Sequence, residues 1–562
     1  MVVLRSGLRG ALALACLGAS GCVSRPPVPL RVQPVPYADT LPIAEPRERE
    51  PNEVAELVDA AVTQEVGSAL SPRRALDATS GALNVTRDDD VVPSAWYELR
   101  HRWDAPWSPE AVRRGGTTSA GPDTSGVLRV VAAKVQGISP GFTVRDALGD
   151  RYVIKFDPKG FLHLASAAGV ISNRLLYASG FHTPEDYIVV FDPARLVADS
   201  TAMVEDEEFR ERPMTHEDIA RVLALTDSLP DGRYLAVASK FVPGVPKGPF
   251  RFEGRREDDP NDHYLHQHRR ELRGLYVVSS WINHVDMRFA NTLDAYVEPG
   301  YLRHYLIDFA ATLGSGTIRP HYPREGTEYN FDFWPTLARI FTLGFYTTGW
   351  EGREGEVIHP TIGWMQGEAF DPATWKANWP NEAFRNVLPP DGYWGAKLVA
   401  AFTDAHIAAA VDAGELPDPF AADTLADMLE FRRDRIVRHW FSRVTPIEAP
   451  EVRAEPGRLE VRFTDLAIAS GLWEDDVTRY EARLRHAARG IDVRAGRVAA
   501  PGQVGQRLAF DLSADAGSGP LAGEDAIARL EITARRPGAR GRPATIYLCW
   551  EDGGYRVAGL EH

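Results

Sequence analysis

W-I-N-H-V-D-M-R-F-A-N-T-L at 281–293, followed by H-Y-L-I-D-F-A-A-T-L-G at 304–314, decides how this chain reads. Asp286 and Asn291 stand five residues apart, and a strand-like apolar run then carries the chain to Asp308. Moving a phosphoryl group to a hydroxyl needs one carboxylate to orient the hydroxyl and oxygen ligands to hold a divalent cation on the phosphates. Those are the residue types supplied here, in an order less common than an isolated D-x-x-x-x-N. The competing reading is that Asp286 and Asn291 cap loops in an unrelated α+β domain.

Upstream, three stretches alternate as β-strands: V-L-R-V-V-A-A-K-V from Val127, F-T-V-R-D from Phe142 and R-Y-V-I-K-F-D from Arg151. A helix is expected from about Leu164 to Ser179, closed by Gly180, and then strands at Tyr187–Phe191 and Tyr234–Phe241 flank an insertion near 200–230. Lys155 ends the third strand, where a fixed point charge would stabilise charge that shifts during transfer. A solvated edge-strand lysine is the plainer account. Gly137 and Gly141 in G-I-S-P-G would let backbone amides approach phosphates, although a hairpin turn explains both as well.

From about His268 the pattern turns helical, with segments at 268–282, 333–346, 393–413 and 422–441. The Trp- and Tyr-rich region between 331 and 394 would line a groove or fill a core. After Arg458, six short stretches with strand patterning follow, R-L-E-V-R-F the first and Y-R-V-A-G-L the last, which suggests a small appended β-sandwich over 448–562.

The combination resembles bacterial secreted lipoproteins with a protein-kinase-like fold, related at fold level to HipA-like and spore-coat kinases. The stretches that carry it are P-S-A-W-Y (93–97), Y-V-I-K-F-D-P (152–158), R-E-D-D-P-N-D (256–262), H-R-R-E-L-R-G-L (268–275), the 281–293 loop and H-Y-L-I-D-F (304–309). The resemblance implies an α+β, bilobal body: a small lobe over 92–250 and a helical large lobe over 251–447. It implies Asp286 as the carboxylate that orients the hydroxyl, Asn291 and Asp308 as ligands of Mg (or Mn), and Lys155 as the contact to an ATP-type nucleotide.

Two departures stand against an active kinase. The helix after Lys155 has Gly169 where the pattern offers a glutamate to pair that lysine, and no acid occurs from Phe161 to Pro184. Asp157, two residues along the strand, is an alternative anchor. The second departure is D-F-A at 308–310, since alanine lacks glycine's freedom at positive φ.

Other clusters invite plainer readings. Asp258, Asp259, Asp262, His263, His266 and His268 would bind a metal or, more simply, cap the next helix. His284 reads as a structural histidine bonded to the loop backbone. G-x-S-x-G and H-E-x-x-H are absent, which lowers hydrolase and zinc-protease readings.

The N-terminus carries Arg5, Arg9, an apolar run over 11–19 and A-S-G-C at 19–22, a secretory signal resembling a lipobox. Residues 1–21 would be removed and Cys22 acylated, and Ser24 then suggests an outer-membrane destination in a Gram-negative envelope. An ordinary cleaved signal is the alternative. Residues 22–91 read as a proline-rich tether with a helix-forming stretch over 52–70. Only Cys549 would then remain as a free thiol, so no intrachain disulfide is expected and the fold must stand on its apolar core. A formal charge of −15 with no basic run argues against nucleic acid and anionic lipid as partners. The expected partners are a nucleotide and a hydroxyl-bearing protein or small molecule. The rival expectation is an inactive, pseudokinase-like scaffold of the envelope.

Overall fold

The computed structural model describes residues 37–50, 58, 64–70, 80–134, 140–205, 210–352, 355, 357–455, 457–474, 476–500, 503–512, 521, 523–539, 541–551 and 554–562. The signal region, Cys22 and Gly137 lie outside the described residues.

Six strands make the first sheet: β1 (Leu128–Lys134), β2 (Gly141–Arg145), β3 (Arg151–Phe156), β4 (Asp186–Phe191), β5 (Leu196–Ala198) and β6 (Tyr234–Lys240). Their spatial order is β4, β6, β3, β2, β1, β5, antiparallel except between β1 and β5. The period of two sorts the side chains. Tyr152, Ile154, Phe156, Tyr187, Val189, Phe191, Ala236 and Ala238 all point into one apolar cluster. Lys155, Asp186, Val237 and Ser239 therefore share the opposite face. Helix α1 (Leu164–Ala178) packs on this sheet and joins a second and larger cluster through Ala167, Ala168, Ile171 and Leu175. Gly141 is required by close approach, because a Cβ there would sit 2.4 Å from the Ile154 carbonyl oxygen.

The larger cluster is built around α2 (Arg270–Trp281), whose twelve residues are all buried. A sheet of three strands belongs to the same half, β7 (Val245–Pro246) before α2 in the chain and β8 (Thr292–Val297) and β9 (Tyr301–Leu306) after it. Helices α3 (Phe333–Phe341), α4 (Pro389–Ala400), α5 (Asp404–Asp412) and α6 (Pro419–Phe441) complete this half. The single helix expected over 393–413 is thus two, with Thr403 at the N-terminus of the second. The aromatic region divides: Trp375, Tyr393 and Trp394 are core, whereas Trp334, Phe341 and Phe345 are exposed.

Residues 37–50, expected as part of a tether, are packed on the body. Asp39 accepts from the Ala95 amide at 2.9 Å, the Ile43 amide donates to the Gly300 carbonyl at 2.8 Å, and Arg49 bonds to Lys247 along the backbone at 3.1 Å.

The C-terminal part holds eight antiparallel strands where six were expected: β10 (Ile447–Glu455), β11 (Arg458–Asp465), β12 (Arg479–His486), β13 (Ile491–Val498), β14 (Gly505–Asp511), β15 (Ile527–Arg535), β16 (Ala544–Glu551) and β17 (Gly554–Glu561). They form a sheet in the order β10, β11, β14 and another in the order β13, β12, β15, β16, β17, around one shared core that includes Leu459, Leu484, Leu508 and Ile546. The two strands that escaped sequence reading, β10 and β13, are edge strands rich in charge, and β10 carries Pro450 at a register irregularity.

Candidate active site

The hairpin of β8 and β9 brings the two halves of the motif together. Thr292 pairs with Leu306, and the Ile307 amide donates to the Asn291 carbonyl at 3.0 Å, so Asn291 and Asp308 leave the same end of one ladder. Asn291 closes the loop back onto its start: Nδ2 donates to the Asp286 carbonyl at 2.7 Å and to Asp286 Oδ2 at 2.9 Å. With the amide nitrogen spent on Asp286, the Asn291 oxygen is the end left for a cation.

Lys155 reaches this point from the sheet, and its Nζ lies 2.7 Å from Asp308 Oδ2. Asp286, with 27% of its side chain exposed, has Arg288 Nε 3.1 Å from Oδ1. Burial pushes the Asp286 carboxyl above its ordinary range, Arg288 and Asn291 pull it back, and the charge of Asp308 raises it again. Lys155, Asp308, Asp286 and Asn291 are therefore one cluster. Two carboxylates and an amide oxygen beside an ammonium are a donor set that suits a hard divalent cation on phosphate oxygens.

The departures of sequence resolve structurally. Asp308 itself takes the left-handed conformation, φ 62°, and Ala310 does not, so the turn that would need a glycine at 310 lies two residues earlier. Gly169 faces the segment after Asp308, with the Phe309 carbonyl carbon 4.0 Å from where its Cβ would be. Ser172 donates to Thr312 Oγ1 at 2.7 Å, and Thr312 in turn bonds to the Ala168 carbonyl. The small-residue side of α1 is thus occupied by this segment and offers no carboxylate to Lys155.

Asp157 does not serve as the alternative anchor. It is fully buried and accepts from the amides of His163, Ala165 and Ser166 and from the Ser166 hydroxyl, capping the start of α1. His284 is not bonded to the loop backbone through its ring. Neither ring nitrogen has a partner among the described residues, the ring meets Phe309 edge-on at 6.0 Å, and burial lowers its pKa to about 4. In the acidic cluster, Asp262 pairs with His266 and Arg269, and Asp258 with Arg256, as a web of ion pairs.

Three residues were missed. Arg288 was legible inside D-M-R-F. Asp186 was passed over because it precedes the apolar run Y-I-V-V-F, and Asn173 because nothing in a helical stretch marks it. Asp186 is 3% exposed, takes a 3.1 Å bond from Asn173 Nδ2 on Oδ2, and leaves Oδ1 without a hydrogen-bond partner of good geometry. Burial raises its pKa to about 6; Ser239, Arg174 and Lys155 pull it down and Asp308 pushes it up.

No protein-family model and no curated protein matches this chain. Solved structures similar to it include kinases. The Helicobacter pylori proinflammatory kinase CtkA has 10% identity and a TM-score of 0.30, covering 57% of this chain and 99% of that one. The Golgi casein kinase with Mn/ADP bound has 10% identity and a TM-score of 0.29, over 56% of this chain and 72% of that one. Such scores carry no argument about this chain, whose site stands on its own residues.

Proposed function

We propose that the chain is a phosphotransferase that moves a phosphoryl, or a nucleotidyl, group from an ATP-type nucleotide to a hydroxyl on a protein or small molecule. The observation that carries this reading is the single cluster formed by the 2.7 Å Lys155–Asp308 pair and the Asp286–Asn291 loop, drawn from two sheets and the loop after α2. Asp308 and Asn291 would hold Mg (or Mn), which when bound neutralises charge on the phosphates. Lys155 contacts a phosphate. Asp286 orients the acceptor hydroxyl and accepts its proton, a task its raised pKa favours. Arg288 keeps that carboxylate aimed.

We place the reaction in a bilobal kinase-like body over 92–447, followed by a β-sandwich, in a lipoprotein anchored through Cys22 at the outer membrane. Among the described residues no helix is long and apolar enough to cross a membrane, so the lipid would be the attachment.

Thermal shift tests the reading. Millimolar Mg-ATP should raise the melting temperature of the wild type, and Asp308→Ala should abolish the rise. No shift in the wild type overturns the proposal. The second reading, an inactive scaffold, is favoured by the absence of any acid on α1 facing Lys155.

A further inference from the structure

Lys155 lacks a helix glutamate, and its one close carboxylate is Asp308, which the proposed chemistry assigns to a cation. A lysine left alone whenever that cation arrives would lose its fixed position. The sheet supplies a second carboxylate. Lys155 pairs with Val237, Val237 and Ser239 lie two apart on β6, and Ser239 pairs with Asp186. These four side chains share one face of the sheet, so Asp186 lies two strands and one diagonal step from Lys155. Adjacent strands are about 4.8 Å apart and residues two apart along a strand about 6.7 Å, so the two Cα atoms lie about 12 Å from one another, a gap that an extended lysine stem and the aspartate carboxylate span only together.

The surroundings of Asp186 fit that use. Asn173 from α1 orients Oδ2 at 3.1 Å, and Arg174 grips the Asp186 carbonyl at 2.7 Å, so the residue is held from side chain and backbone. Oδ1 is buried and makes no hydrogen bond of good geometry, the Ser239 hydroxyl being the donor nearest this carboxylate on the sheet. A buried carboxylate oxygen without a well-formed bond is costly and leaves room for a further donor.

We propose that Asp186 is the positioning residue for Lys155: it takes over the ammonium when Asp308 turns to the cation, in place of the absent helix glutamate. Lys155 is shared between two carboxylates, one that can leave and one that stays. The inference rests on the phosphotransfer reading only for the role of Asp308, and its test uses no nucleotide.

The test is the acetylation rate of Lys155 by a water-soluble ester, followed by peptide mass spectrometry, with Lys240, paired to Asp150 elsewhere on the sheet, as internal control. In Asp308→Asn, Lys155 should remain slow to react because Asp186 holds it. In Asp308→Asn/Asp186→Asn it should react about tenfold faster or more, since a lysine with no carboxylate to hold it in the cleft is free to meet the reagent. Asp308→Asn/Asp186→Glu should restore the slow rate, which a purely structural role would not do. If the double variant fails to fold, Asn173→Ala in the Asp308→Asn background should raise the rate several-fold. A Lys155 rate within twofold of Asp308→Asn in these variants overturns the proposal. A wild type that ignores Mg-ATP would instead sink the phosphotransfer reading and leave this result standing.

Discussion

At Asp286 one side chain is asked to be both desolvated and charged. Recession from water raises its pKa, while Arg288 at 3.1 Å and Asn291 at 2.9 Å pull it back and keep the carboxylate aimed. Asp286→Asn preserves shape and the contact to Asn291 but removes the proton acceptor. The expected outcome is a fall in kcat of about 10²–10⁴-fold with nucleotide affinity unchanged, read from initial rates beside calorimetric titration. An equal loss of affinity would mean that Asp286 holds the cation instead. Asp286, Asn291, Asp308 and Lys155 were legible because each lies in a local pattern of chemistry-bearing types. Asp186 was not, because its meaning comes from a register across two strand pairs that no window of sequence contains.

At the scale of the element, the start of α1 depends on Asp157. His163, just ahead of the helix, has φ 69° and makes no side-chain cap, so the free amides of the first turn are met from the preceding strand's end. Asp157→Ala should cost about 2 kcal/mol, seen as a lower urea midpoint, because buried N–H groups lose their acceptor. Lys155 acetylation should stay at the wild-type rate. An accelerated Lys155 in a stable Asp157→Ala protein would restore Asp157 to the anchoring role.

Across the whole molecule, buried neutral histidines set the acid limit. His101 bonds through Nε2 to the Ala401 carbonyl at 2.9 Å and accepts the Trp107 amide on Nδ1 at 2.9 Å, so a second proton has no place. His321 accepts from Asn283 on Nδ1. Burial lowers both to about 4. Their unfolded forms take up a proton near pH 6.5, so the stability they contribute is whole above that pH and drains away as pH falls toward 4, by up to about 3 kcal/mol each. Asp186, raised to about 6, has the opposite sign and regains stability as pH falls below 6, but His284 and His439, also lowered to about 4, stand with the histidines on the other side. The urea midpoint at pH 4.5 should therefore lie clearly below that at pH 7; equal midpoints would refute this account.

The strands β1 to β4 and β6, helices α1, α2, α3 and α6 and most of the C-terminal strands were written in periodicity, since the alternation that places apolar side chains on one face is local. So were the identities of the four polar groups and their order. Tertiary structure alone decided that Lys155 pairs with Asp308, that Asp157 is a cap, that residues 37–50 belong to the packed body, and that Asp186 shares the lysine's face. The physical reason is one of range: propensity and patterning act over a turn or a pleat, whereas ion pairing, burial and strand register join residues beyond it, Lys155 and Asp308 more than a hundred positions apart.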